Sequence, residues 1–187
     1  LALTGHKYLY GIQGIGALYI KEGLNLKPLK VGGTGIKSEY LYQPEEMPLL
    51  FEAGTPNIPG IVSLNAGLKY LEEEGINNIV KKKSELIETL WDKFLKIPGI
   101  ITYGIYHKES VPIFNFNVKN METEDVGYIL EQSFGIIIRS GLHCSPLIHK
   151  AIGSFPYGTI RVSPSHFNTS EDIDRLVDAV EQISNMV

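Results

Sequence analysis

The back half of this chain switches repeatedly between two hydrophobic periods, and that switching limits its fold more than any single motif does. Ile113 to Val118 alternates Phe114, Phe116 and Val118 against Asn115 and Asn117, the period-two signature of a strand with one buried face. Val126, Ile129, Leu130 and Phe134 then recur at helical spacing until Gly135 ends the run. Ile100 to Tyr106, the run Ile136-Ile137-Ile138 and Thr159 to Ser163 read as further strands, the middle one buried. A last helix carries Ile173, Leu176, Val177, Val180 and Ile183 on one stripe, with Thr169 and Asp172 placed as its capping pair. Strands and helices alternating in this way predict a compact α/β part from residue 98 to the end.

The front part is different. Gly11, Gly14 and Gly16 lead into Ala17-Leu18-Tyr19-Ile20, which reads as a short buried strand. From Lys21 to Pro59 no periodicity survives, and the stretch holds Gly32-Gly33-Thr34-Gly35 and Phe51-Glu52-Ala53-Gly54-Thr55-Pro56-Asn57. A segment of this size without regular structure is uncommon in a compact domain unless it is functional. After Pro59, Ile61, Leu64, Leu68 and Leu71 predict an amphipathic helix that Gly75 caps. A second helix runs from Ile76 to about Lys96, with Ile79, Val80, Leu86, Leu90, Trp91 and Phe94 on its buried face, and stops at Pro98-Gly99. Lys81, Lys82 and Lys83 are assigned to its solvated face.

Composition removes several function classes. Seventeen basic against 21 acidic residues give a net charge of -4, so no nucleic-acid or anionic-membrane footprint is expected. No run approaches the roughly 18 consecutive apolar residues of a membrane span. The one cysteine, Cys144, cannot form an internal disulfide, which points away from disulfide-rich secreted proteins and toward a reducing cytosol. The chain opens Leu1-Ala2-Leu3-Thr4-Gly5-His6-Lys7, apolar and chemically dense from its first position, and reads as a piece of something longer.

Two residues stand out as reactive. Cys144 follows a strand end and Gly141, lies next to His143, and has Arg139 and His149 close in sequence. Basic neighbours on a loop are the setting of reactive thiolates. A metal site built on His143, Cys144 and His149 lacks a fourth ligand at recognisable spacing, so no metal is expected. Lys7 sits between His6 and Tyr8 before the glycine-rich turn, and a lysine in a partly desolvated pocket can form a Schiff base with a carbonyl.

Taken in order, Thr4 to Lys7, the Gly11 to Gly16 turn, Gly32 to Gly35, Phe51 to Asn57, Arg139-Ser140-Gly141-Leu142-His143-Cys144 and Thr159-Ile160-Arg161 resemble the class V, pyridoxal-phosphate-dependent aminotransferase superfamily, most of all its cysteine desulfurases. The resemblance implies that Lys7 carries pyridoxal 5'-phosphate and that Thr4 and His6 bind its phosphate. Thr34 would reach the phosphate held by a neighbouring subunit, which implies a homodimer. Arg161 would hold the carboxylate of L-cysteine, assisted by Arg139, and Cys144 would take the sulfur as a persulfide and pass it to an acceptor protein. The residues that stack on the cofactor ring and pair with its pyridine nitrogen precede the lysine in such enzymes. The 187 residues are therefore expected to be the C-terminal part of a fold-type I α/β enzyme about twice as long, and not to form a competent holoenzyme alone. In that scheme residues 1–60 are the tail of the large cofactor domain, 61–97 connecting helices, and 98–187 a small α/β domain with a mainly antiparallel sheet. Two other readings remain open at this level. One is a selenocysteine lyase or aminotransferase-like enzyme of the same cofactor class that does not use Cys144. The other is a non-catalytic dimerisation module.

Overall fold

A computed structural model describes residues 1–33, 35–107 and 111–187. The chain divides into two compact units, Leu1–Gly75 and Ile76–Val187, so the division falls between two helices that are consecutive in sequence.

The first unit begins with a two-stranded antiparallel ribbon, β1 (Ala2–Thr4) and β2 (Gly16–Leu18), in register Ala2 to Leu18 and Thr4 to Gly16. The expected buried strand at 17–20 is corrected here: β2 is short and exposed, because a ribbon of two strands has no second layer within this unit to bury its side chains. Among the described residues of the aperiodic stretch that follows, one turn of 3-10 helix forms at Leu49–Phe51. Side-chain and backbone ties hold it: the Gly32 amide donates to Gln43 Oε1 at 3.0 Å, Gln43 Nε2 donates to the Leu49 carbonyl at 2.6 Å, and the Gly54 amide donates to the Gly33 carbonyl at 2.6 Å.

Helix α1 (Ile58–Glu74) starts where Asn57 accepts from the Gly60 amide and Pro59 supplies a preset backbone angle. It stops at Gly75, whose φ of 78° a side chain would resist. The expected apolar stripe is only partly the buried one: Ile61 and Leu68 are exposed, and the covered positions are Gly60, Gly67 and Leu71. The helix packs through its glycines. A Cβ at Gly67 would lie 2.1 Å from the Leu9 carbonyl oxygen, so this face accepts backbone rather than side chains.

The second unit is an α/β layer pair. Helix α2 (Ile76–Phe94) is followed by β3 (Ile100–Tyr103), β4 (Phe114–Val118), α3 (Thr123–Phe134), α4 (Pro146–Ala151), β5 (Ile160–Val162) and α5 (Ser170–Ser184). The strands form an antiparallel sheet in the order β3-β4-β5. Phe114, Phe116 and Val118 of β4 and Ile160 and Val162 of β5 point into a core completed by α2, α3 and α5. The rings of Phe94, Phe114 and Phe116 meet there, Phe94 lying 4.8 Å from each of the other two. Gly135 ends α3 in the left-handed conformation, and Thr169 and Asp172 form a reciprocal capping box on α5.

Two expectations for this unit are corrected. Lys83 is not on the solvated face but buried, since it lies four residues after Ile79 and four before Ile87, on the side of α2 that faces the core. Burial lowers its pKa. Residues 136–138 are not a buried strand: Ile137 is exposed, and only Arg139 pairs, through an isolated bridge to Arg161. Pro146 opens α4 at its first turn.

Candidate functional site

The sheet of the second unit has a second face, and it is polar. Because side chains alternate along a strand, the register that buries Phe114 and Phe116 turns Asn115 and Asn117 away from the core, together with Arg161, which stands opposite Asn115. Asn117 Nδ2 donates to the Tyr103 hydroxyl and to the Gly158 carbonyl, each at 3.1 Å, and the Ile160 amide donates to Asn117 Oδ1 at 3.3 Å. Thr159, fully buried, donates its hydroxyl to Asn115 Oδ1 at 3.3 Å. Two asparagines in a five-residue strand, a residue type that strands usually exclude, were the available sequence signal for this network. Their role was not read from it.

The loop 140–145 crosses this polar face. Its base is fixed by backbone pairing, Thr159 to Gly141 at 3.1 Å and Arg161 to Arg139 at 2.8 Å. Gly158 must be glycine, because a Cβ there would sit 2.1 Å from the Gly141 carbonyl oxygen. At the tip His143 and Cys144 both take positive φ, 51° and 60°, a region that side chains disfavour. The Cys144 thiol is exposed, and Arg139 Nη2 donates to its sulfur at 3.3 Å. A permanently charged guanidinium therefore faces the thiol.

His143 turns the other way. Its Nε2 lies 3.2 Å from Thr159 Oγ1, its Nδ1 is buried with no hydrogen-bond partner among the described residues, and its ring is 5.5 Å from that of His149. Burial, and after it the Arg161 guanidinium, push its pKa down to about 4, so the ring is neutral at neutral pH. His149 is buried and bonded through Nδ1 to Ser154 Oγ at 2.7 Å. Arg161 is half-buried, and its Nε has no hydrogen-bond partner among the described residues. Arg139 and Arg161 also border a cleft of about 460 Å³ with Ser163, Asn168, Asp172 and Arg175. Arg175 reaches the Phe134 carbonyl at the end of α3, at 3.4 Å.

The other candidates lie in the first unit. Thr4 ends β1, and His6 and Lys7 follow on the turn to Tyr10, whose amide donates to the Lys7 carbonyl at 3.2 Å. Gly5 is covered and pressed on Ile15: a Cβ there would come 2.6 Å from Ile15 Cγ2. Thr4, His6 and Lys7 are all exposed. Lys7 thus stands in the open on this unit rather than in a partly desolvated pocket. The turn is tied to α1 by Asn57, whose Nδ2 donates to the Gly14 carbonyl at 3.1 Å, and by Ser63, which accepts from the Ile12 amide at 2.9 Å. Asn57 thereby joins two of the sequence motifs. Thr34 lies outside the described residues.

A primary amine, a hydroxyl and an imidazole on one turn, with no side-chain partner among the described residues, suit an aldehyde that carries a phosphate. The structure thus gathers Thr4, His6 and Lys7 in the first unit, and Arg139, Cys144 and Arg161 in the second. Among the described residues no group of three or more His, Cys, Asp or Glu side chains could hold a metal, and no helix is long and apolar enough to cross a membrane.

The chain is similar to known proteins over nearly its whole length. A probable cysteine desulfurase from Methanothermobacter thermautotrophicus is 38% identical over 99% of this chain and 47% of its own length. A cysteine desulfurase from Escherichia coli is 36% identical over 98% of this chain and 45% of its own. The apo structure of a cysteine desulfurase from Thermococcus onnurineus superposes with a TM-score of 0.92 at 32% identity, over 100% of this chain and 47% of that one. The chain spans about half the length of the curated relatives it matches. The family model of the class V aminotransferases matches residues 1–176, and the chain belongs to that pyridoxal-phosphate-dependent family.

Proposed function

We propose that this chain supplies the cofactor lysine and the sulfur acceptor of a cysteine desulfurase. The observation that carries the reading is the exposed Cys144 thiol on a tightly fixed loop with Arg139 donating to its sulfur. A core cysteine would be buried and apolar in its contacts, whereas this one is presented to a reactant beside a fixed cation.

Lys7 is the amine that would hold the aldehyde of pyridoxal phosphate, and Thr4 and His6 the donors to its phosphate. When bound, the cofactor provides an electron sink for negative charge developing on an amino-acid substrate. Lys7 is also the base that would move the substrate's proton. Arg161, whose Nε has no hydrogen-bond partner among the described residues, offers a planar fork to the substrate carboxylate. The Cys144 sulfur attacks the sulfur of L-cysteine. A sulfur–sulfur bond forms as the substrate's carbon–sulfur bond breaks, and the released electron pair stays on carbon, which takes up a proton. L-cysteine and a thiol become L-alanine and a persulfide, with no outside oxidant or reductant. The persulfide then passes to an acceptor protein. Thr34 would serve a phosphate bound in a second copy, so the working enzyme is a homodimer acting in the cytoplasm. In this reading residues 1–60 finish the large domain, 61–97 connect, and 98–187 form the small domain.

The test uses the intact protein and L-cysteine. Visible absorbance of a pyridoxal–lysine adduct, lost in Lys7→Ala, together with one added sulfur atom on the Cys144 peptide by mass spectrometry, is the expected result. Cys144→Ala should stop sulfur release. If that variant turns over cysteine or selenocysteine at the wild-type rate, the enzyme is a lyase that does not use Cys144. Protein that binds no cofactor would leave only a dimerisation module.

A further inference from the structure

The residue before the sulfur acceptor is an anchor. His143 and Cys144 are consecutive non-glycine residues in the left-handed region, and such a pair persists only where its surroundings impose it. Two contacts do so. From the exposed side, Arg139 bonds to the Cys144 sulfur at 3.3 Å. From the inside, the His143 ring reaches the Thr159 hydroxyl at 3.2 Å. That hydroxyl has one hydrogen, which goes to Asn115 Oδ1, so its remaining capacity is as an acceptor for the His143 Nε2 proton. Thr159 is itself immobile, being fully buried and bonded through its amide to Gly141 at the loop's base. Among the described residues no hydrogen bond joins the His143 ring to the Cys144 sulfur, and its Nδ1 is buried, so it is not placed to act as the thiol's base.

We infer that His143 is a positioning residue for Cys144: its ring, bonded to Thr159 on the polar face of the sheet, holds the loop in the left-handed conformation that sets the thiol beside Arg139. Asn115 completes the chain of bonds by orienting the Thr159 hydroxyl. The ring stays neutral at neutral pH, which keeps it in the form that gives one proton to Thr159 without a second cation beside Arg139 and Arg161. The functional consequence rests on the desulfurase reading above.

The experiment compares His143→Ala, His143→Gln, Thr159→Val and the double variant His143→Ala/Thr159→Val in the intact, cofactor-loaded protein. Misplacing a reacting group by a fraction of its contact distance lowers the rate of the step it performs, so His143→Ala and Thr159→Val should each reduce kcat for alanine formation at least about tenfold, with KM for L-cysteine within about twofold. The double variant should be no slower than the worse single one, because both changes break the same contact. Glutamine, whose amide nitrogen can occupy the Nε2 position, should restore kcat to within about threefold. Hydrogen exchange of the 141–145 amides should quicken at least about tenfold in His143→Ala and Thr159→Val and remain near wild type in His143→Gln. Wild-type kcat in both loss variants, or unchanged exchange in the loop, overturns the inference. Should His143→Ala not fold, the near-isosteric Thr159→Val and His143→Gln decide it. Wild-type protein that forms no persulfide on Cys144 sinks the desulfurase reading instead, and the exchange result still decides whether His143 anchors the loop.

Discussion

Arg139 stands where two demands meet. Its backbone bridges to Arg161 and so places the start of the loop, while its guanidinium donates to the Cys144 sulfur. Arg139→Lys retains the charge but loses the planar fork. We expect its rate of persulfide formation in a single turnover to fall at least about tenfold, with the cofactor absorbance of the Lys7 adduct unchanged. His143 gives a second prediction at this scale. The groups that face it are Arg161, His149, Arg139 and Thr159. It loses its proton at about 4 in the fold and near 6.5 when unfolded. Between those values the unfolded chain holds more protons than the folded one, so acid favours unfolding. The stabilising contribution is full above pH 6.5 and is lost as the pH falls toward 4. Urea midpoints measured across that interval should therefore drop less steeply for His143→Gln than for wild type.

Among the elements, α5 depends on a device at its start and α1 on one in its middle. Thr169 Oγ1 accepts from the Asp172 amide at 3.3 Å, and Asp172 Oδ2 accepts from the Thr169 amide at 3.0 Å. Thr169→Ala should cost about 1 kcal/mol of stability in chemical denaturation. The bonds from Thr169 and Asn168 hold the Asp172 carboxyl below its ordinary value, so its share of the cap is present above the usual aspartate range and disappears as the pH falls through its lower folded value. In α1 the decisive position is Gly67. A methyl there meets the Leu9 carbonyl at 2.1 Å, two residues past Lys7. Gly67→Ala should push that segment off the helix and weaken pyridoxal phosphate binding at least about tenfold, read as the cofactor concentration needed for half-maximal absorbance.

For the molecule as a whole, the two units draw their stability from different sources. The second has the aromatic core, in which Phe116 is fully buried between Phe94 and Phe114. Phe116→Ala should cost about 3–5 kcal/mol by cavity formation, seen as a lowered Tm with the pyridoxal absorbance retained below the transition. The first unit relies on close backbone approach at Gly5, Gly16 and Gly67 and on the ties made by Asn57. Apolar side chains such as Leu3, Leu18, Leu29 and Val31 are left exposed on it.

How much of this was legible in the residues follows from the range of the forces involved. Hydrophobic period and capping act over a few residues. For that reason the alternation of Phe114 to Val118, the end of α3 at Gly135 and the capping box of α5 were all readable in the chain itself, as were the ordered motifs that point to the family. Contacts between segments far apart in sequence were not. Local pattern put Lys83 on the solvated face and residues 136–138 in a buried strand, but the first depends on which side of α2 meets the core and the second on which residues reach β5. The polar face that carries the Cys144 loop joins Asn115, Arg139, His143 and Thr159 from three separate segments. Sequence determined that the one cysteine stands beside basic residues; only the tertiary structure decided that Arg139 touches its sulfur while His143 turns inward, because hydrogen bonds select partners by distance and direction and not by order along the chain.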